Sequence, residues 1–267
     1  MDKKRVIEIK TIKSIVIKNL FEVVKQYIKE TNIIINKDGM KLSSIDTSKN
    51  SFTFVKLLSE QFASYKCDKE VVIGLNIVVL FKVLKTVNRR EIITMYMNED
   101  EEENFYVEIF DPSIKKRKVY KIPVLVLDND KDINIQEMSF DYIINISTSQ
   151  FQQIIKDIHT IEGKIVDIKS VGKQLIISCD DGIVDFTTTI NELDDENDPK
   201  NSIKFTTDSD KIVQGKFKLN YLLDFIKASQ LCENMNILLT NDKPLILEYF
   251  VADLGSLRLL LIPYTNQ

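Results

Sequence analysis

Few residues in this chain are placed to do covalent chemistry. His159 is the single histidine, so paired-histidine metal sites are excluded and a histidine-based triad has one candidate. Cys67, Cys179 and Cys232 stand far apart with no CxxC pair, which fits buried reduced thiols rather than a disulfide framework. Asp194, Asp195, Glu196 and Asp198 form a carboxylate cluster. They follow one another along one polar stretch, whereas a metal site needs ligands that converge from separate elements. The chain has 7 glycines and none of the patterns GxxxxGK(S/T), GxGxxG or GxSxG, so no phosphate cradle or nucleophile elbow is encoded. What remains is basic side chains at helical spacing. Lys18, Lys25 and Lys29 fall at i, i+7 and i+11, and Lys82, Lys85 and Arg89 at i, i+3 and i+7. A third stretch offers Lys156 with Gln152, Gln153 and His159, and a fourth offers Lys227 with Asn220 and Asp224. Such faces attract phosphates through contacts that carry no sequence information. No aromatic residues interleave with these cations to stack single-stranded bases, so the duplex backbone is the expected ligand.

These side chains need helices to hold them, and the chain supplies four at repeated intervals. The repeated unit is a short alternating strand, a helix, then alternating strands joined by polar turns. The first copy has strands at Arg5–Lys10, Asn32–Asn36 and Met40–Asp46, with a helix over Ile12–Lys29. The second has strands at Val71–Gly74, Ile92–Met97 and Asn104–Phe110 around a helix over Ile77–Val87. In the third, Tyr142–Ile146, Leu175–Cys179 and Gly182–Thr188 flank a helix over Ser149–Ile158. In the fourth, Gly215–Leu219, Met235–Leu239 and Leu245–Val251 flank a helix over Tyr221–Ser229. Ile77, Leu80, Phe81 and Leu84 make one apolar stripe at i, i+3, i+4 and i+7. Lys37-Asp38-Gly39 and Asp180-Asp181-Gly182 are turn sequences between apolar runs.

Two similar halves result. Lys25 and Lys156 are 131 residues apart and Lys85 and Lys227 are 142 apart, the difference being taken up by extra residues around Asn191–Asn201. The expected division is residues 1–121, a connector over 122–137 with Pro123 and a polar run, and 138–267. At 267 residues, 44% hydrophobic and 28% charged, the chain has the make-up of a globular protein with a core in each half. A net charge of −4 excludes a uniformly basic nucleic-acid binder, so the positive charge must be local. No apolar run reaches the ~20 residues of a membrane span, and an intracellular setting is expected.

A family resemblance runs through these elements. Gln61-Phe62-Ala63-Ser64-Tyr65-Lys66-Cys67-Asp68, then Gly74-Leu75-Asn76 and Phe81-Lys82-Val83-Leu84-Lys85, is similar to the Phe-x-x-Tyr-x-Cys-Asp strand and second basic helix of the eukaryotic, archaeal and viral DNA sliding clamps, the proliferating cell nuclear antigen family. Leu42-Ser43-Ser44-Ile45-Asp46-Thr47-Ser48 resembles that family's Ser-Met-Asp-Ser-Ser turn. Leu247-Glu248-Tyr249, Ala252-Asp253-Leu254-Gly255 and Leu261-Ile262-Pro263 resemble its last strands. The resemblance covers essentially the whole chain, with insertions placed near Gly163–Lys173 and Asn191–Asn201.

It implies an α+β fold of two clamp domains per chain, in a homotrimeric ring with helices inside and antiparallel sheets outside. The implied function is that of a non-enzymatic DNA polymerase processivity factor, without cofactor or metal, in the nucleus or at a viral replication site. Lys18, Lys25, Lys82, Lys85, Lys156 and Lys227 carry over as residues lining the hole, with Lys29 and Arg89 beside them. Implied partners are duplex DNA, a clamp loader, further copies of the chain, and polymerases, flap nucleases and ligases that insert a short peptide. Their pocket maps onto Ile45, Ile133, Ile135, Pro244, Leu260, Ile262 and Pro263. Subunits would join through strands near Lys115–Tyr120 and Ser202–Thr207. The chain departs from the family at Asn19, Gln153 and Asn220, where basic residues are usual, so the second half is expected to carry less positive charge. Two other readings stay open: a subunit of a heterotrimeric checkpoint-type clamp, and a metal enzyme using the carboxylates at Asp194–Asp198.

Overall fold

The computed structural model describes residues 4–128, 139–181, 184–193, 202–206 and 211–265. The chain divides into two compact units that exchange short segments. The first comprises Met1–Ser44, Thr53–Ile133 and Val251–Ser256, and the second Ile45–Phe52, Asn134–Phe250 and Leu257–Gln267.

In the first unit, β1 (Arg5–Thr11), β5 (Ser64–Cys67), β7 (Ile92–Asn98), β8 (Asn104–Asp111) and β9 (Lys116–Pro123) form an antiparallel sheet in the order β5-β1-β7-β8-β9. A second sheet runs β6-β2-β3-β4, from β2 (Glu30–Asn36), β3 (Gly39–Ile45), β4 (Ser51–Leu58) and β6 (Val71–Asn76). Helices α1 (Ser14–Val24) and α2 (Ile77–Leu84) pack side by side. Ile7 and Ile9 of β1, Ile33 and Ile35 of β2, Ile17, Leu20 and Phe21 of α1, and Leu80 and Leu84 of α2 fill the core. The periodicities are 2 in the strands and 3.6 in the helices, which is why these sequences adopt these elements.

The second unit repeats the plan. One sheet runs β13-β12-β11-β15, from β11 (Ile165–Val171), β12 (Gln174–Cys179), β13 (Phe186–Asn191) and β15 (Val213–Lys218). The other runs β14-β10-β16-β17-β18, from β10 (Tyr142–Ser147), β14 (Ile203–Phe205), β16 (Asn234–Leu239), β17 (Leu245–Phe250) and β18 (Gly255–Leu261). Helix α3 (Thr148–Thr160) packs against α4 (Leu219–Phe225) and the 3-10 turn Ile226–Leu231 that continues α4. A shared hydrogen bond marks the repeat. The first N–H of α2 (Ile77), of α3 (Thr148) and of α4 (Leu219) donates at 2.8 Å to the carbonyl of Lys29, Glu233 and Lys164 respectively. Each helix start is thereby tied to a residue next to the strand that follows its neighbouring helix.

Four expectations about element boundaries need correcting. Helix α1 stops at Val24 rather than Lys29. Beyond it the Gln26 and Tyr27 N–H groups reach back only three residues, to Val23 and Val24, so the helix tightens and ends. Likewise α2 stops at Leu84 rather than Val87. Helix α4 is true α only to Phe225 before it tightens. The strand expected over Gly182–Thr188 is β13 at Phe186–Asn191, and within Gly163–Lys173 lies β11, whose Val166, Ile168 and Ser170 point into the core while Ile165, Asp167 and Lys169 alternate outward.

Gly39, in the turn between β2 and β3, has φ +141°, and a Cβ there would lie 1.9 Å from the Leu57 carbonyl oxygen. Gly39→Ala is expected to cost about 1–3 kcal/mol, read as a fall in the thermal midpoint, because both the backbone conformation and the neighbouring strand oppose it. An unchanged midpoint would contradict this account of the turn.

Candidate nucleic-acid interface

The basic residues of the first unit gather where α1 and α2 lie together. Lys18 projects from the middle of α1 and its amine donates to the Val87 carbonyl just past α2, at 3.2 Å. Lys25 occupies the C-cap of α1 and its amine sits 3.7 Å from the centre of the Phe81 ring on α2. Both half-buried side chains thus lay their stems along the helix pair and direct their amines to α2 or to the residues just past it. Lys82 on α2 and Lys85 at its C-cap are exposed. Lys29 and Arg89 are exposed too, yet neither is on a helix: Lys29 follows the turn after α1, and Arg89 lies in the turn after α2. Their helical spacing in sequence therefore describes proximity to the helix ends rather than membership of one helix face.

The second unit is sparser. Lys156 is exposed on α3, one turn before the exposed His159. Lys227, in the 3-10 turn after α4, is paired at 2.6 Å with Asp224. Such an exposed pair contributes little to stability, but the Asp224 carboxylate opposes the attraction the lysine offers a phosphate. Gln153 donates to Asp157 at 2.7 Å, and Asn220 is uncharged and exposed. The expected thinness of charge on these helices is what the side chains display.

The apolar residues expected to form an anchor pocket are distributed unevenly. Ile45 and Pro244 are half-buried, Pro263 is half-buried, and Ile262 is 39% exposed. Leu260 is 2% exposed and belongs to the core: β18 buries Leu259, Leu260 and Leu261 in succession, breaking the alternation that would have turned Leu260 outward. Ile133 and Ile135 lie outside the described residues, as do Asp194, Asp195, Glu196 and Asp198. Among the described residues no group of His, Cys, Asp or Glu could hold a metal ion.

One cluster was not legible in advance. The turn after Ile45 is fastened to α4 by Tyr221, whose hydroxyl lies 2.7 Å from Ser48 Oγ and donates to Asp46 at 3.3 Å. Ser48 donates to Asp46 as well, and the Ser51 N–H donates to it at 2.6 Å. Burial alone would raise the Asp46 pKa, but these donors together outweigh it and hold the carboxyl below its ordinary value. The Ile262 N–H donates to the Asn50 carbonyl at 2.9 Å, so the same turn abuts the exposed end of β18. A cavity of about 440 Å³ opens there, lined by Asn50, Lys218, Tyr221, Ile262, Pro263 and Tyr264 among others. Tyr221 sits one residue from Asn220, and nothing in its local sequence announces a partner 173 residues away.

The geometry gathers cations on and beside the helices, and among the described residues no metal-holding group accompanies them, which suits binding to a polyanion. Comparison with known proteins points the same way. Two family models match the chain in order: "Proliferating cell nuclear antigen, N-terminal domain" over residues 6–133 and "Proliferating cell nuclear antigen, C-terminal domain" over residues 134–264. A curated relative, the "Probable DNA polymerase sliding clamp 1" of Paramecium bursaria Chlorella virus 1, is 28% identical over 258 residues, covering 96% of this chain and 95% of that protein.

Proposed function

The chain belongs to the proliferating cell nuclear antigen family, and we propose that it acts as a DNA polymerase processivity factor, three copies closing into a ring that encircles duplex DNA. The observation that carries this reading is the ordered pair of clamp-domain matches, which together span residues 6–264. Holding DNA by closure relieves the cations of binding tightly. Lys18, Lys25, Lys29, Lys82, Lys85, Arg89, Lys156 and Lys227 need only screen passing phosphates so that the ring slides, a role suited to exposed, sequence-blind contacts.

The protein is read as a platform without catalysis of its own. Polymerases and other replication and repair proteins dock through short peptides against Ile45, Pro244, Ile262 and Pro263, and a loader opens the ring. The viral relative supports a place of action at a DNA replication site. Subunits join through β9, the outer strand of its sheet. Its expected counterpart, β14, has less of its edge available: Ile203 exchanges both backbone hydrogen bonds with Leu193 (2.9 and 3.0 Å), and the Phe205 N–H donates to Glu192 at 3.3 Å. Both outward N–H donors of β14 are thus engaged within the subunit, and a join there needs the Leu193 and Glu192 contacts to give way.

Native mass tests the assembly. The purified chain should run at three times its own 30.9 kDa at micromolar concentration. A stable monomer, or a trimer obtained only with two dissimilar partner chains, overturns the homotrimer.

A further inference from the structure

The second unit holds positive charge that its helices do not supply. A cavity of about 870 Å³ opens where α3 ends and α4 begins, and Lys164, Lys216 and Lys218 line it together with His159, Asn220 and Tyr264. The strand register explains the grouping. On β15, Phe217 points into the core at 1% exposure while Lys216 and Lys218 alternate outward and are exposed. Ile165 of β11 pairs with Lys218, and the Leu219 N–H holds the Lys164 carbonyl at 2.8 Å, so Lys164 is pinned beside the start of α4. The Tyr264 N–H donates to the Lys216 carbonyl at 2.7 Å, and the Lys218 amine lies 5.7 Å from the Tyr264 ring centre.

The neighbouring acids are largely engaged elsewhere. Asp181 accepts from the backbone N–H groups of Lys164 and Ile165 at 3.0 Å, and from the Cys179 thiol at 2.8 Å. Asp167, across from Lys216 in the register, takes the Gln214 amide at 2.6 Å. Asp180 is exposed on the rim. Among the described residues none of the three lysines forms an ion pair, in contrast to Lys227 with its Asp224.

We propose that Lys164, Lys216 and Lys218 form a further phosphate-binding site of the second unit, occupied by the backbone of duplex DNA. The occupant follows from continuity. His159, on the cavity wall, is one helical turn from Lys156 on α3, and Asn220, also on the wall, opens α4. A phosphate strand passing Lys156 runs directly onto the three lysines. These cations, two on β15 and one just before β11, supply beside the helices the charge missing at Gln153 and Asn220. The proposal deepens the clamp reading and rests on it.

Short labelled duplex titrated into the full-length protein over a range of salt concentrations tests it, with three proteins compared: wild type, K164Q/K216Q/K218Q, and K82Q/K85Q. Each lysine that meets a phosphate contributes about 0.9 to the slope of log K against log salt. The triple variant is expected to flatten the slope by roughly 2–3 and to weaken low-salt binding at least ~10-fold, with native mass and thermal midpoint unchanged. If the triple variant keeps the wild-type slope while K82Q/K85Q loses part of it, the proposal fails and the clamp reading stands. If both variants keep it, the reading of the helix lysines fails as well. A glutamate-rich peptide bound by wild type and lost in the triple variant, with DNA binding intact, would instead assign the cavity to an acidic protein partner and overturn the proposal.

Discussion

Once loaded on nicked circular duplex, the protein is expected to stay with the DNA through a high-salt column and to be lost as soon as the circle is linearised. The two halves of this result separate closure from attraction. On the proposed reading the lysines of α1, α2 and α3 meet phosphates through their ammonium groups, and a complex held by six to ten such contacts alone loses about 10³–10⁵ in affinity between 50 and 200 mM salt. A closed ring has no such dependence: it leaves a circle only by opening a subunit join, and it leaves a linear molecule by sliding off the end. Loss from circle and linear DNA alike as salt rises would reduce the protein to an electrostatic binder. Retention on linear DNA with free ends would point to tight specific contacts, for which the exposed, partly paired lysines offer no basis.

The repeat that carries this architecture was legible because its signals are local. Ile77, Leu80, Phe81 and Leu84 form a helical stripe whichever unit they belong to, and all four are buried. The failures have physical causes. Lys29 and Arg89 fall at helical spacing from Lys18 and Lys82, but spacing cannot tell a helix that continues from one whose last N–H groups switch to three-residue bonds, as at Gln26 and Tyr27. Strand β11 has the alternation of a strand over Ile165–Val171, but only its pairing with β12 and β15 shows that it belongs to the sheet. Leu260, which the resemblance places in the anchor pocket, is buried between the equally buried Leu259 and Leu261, and sequence alone does not separate a pocket residue from a core one. Lys216 and Lys218 flank the buried Phe217 at a strand's period of 2, a spacing that helical periodicity does not pick out. The Tyr221–Ser48 contact depends on the exchange of Ile45–Phe52 into the second unit, a tertiary fact with no local signature.

Val119→Pro is expected to break the ring while leaving the subunit folded. The Val124 N–H donates to the Glu103 carbonyl at 2.9 Å, which fixes the phase of the β8–β9 ladder. Stepping back by twos along the register, Ile122, Tyr120 and Lys118 direct their backbone groups at β8, whereas Arg117, Val119 and Lys121 direct theirs outward. Pro123 obeys the same phase, since its missing N–H would point away from β8. A proline at 119 therefore removes an outward donor without costing the intramolecular ladder a bond. The strand is anchored independently: the Lys118 amine pairs with the buried Glu91 at 2.8 Å and donates to the Thr86 carbonyl at 3.3 Å. Losing one hydrogen bond and disturbing the fit should cost each join about 1–3 kcal/mol. A ring has three equivalent joins and needs all of them, so at about 1.4 kcal/mol per factor of ten the trimer's formation constant should fall roughly 10²-fold or more. The measurement is native mass against concentration, with the thermal midpoint of the monomer as the control for folding. A variant that stays trimeric would move the join away from β9. A variant that unfolds would instead show that the outward phase assigned to Val119 is wrong, because only an inward N–H is needed by β8.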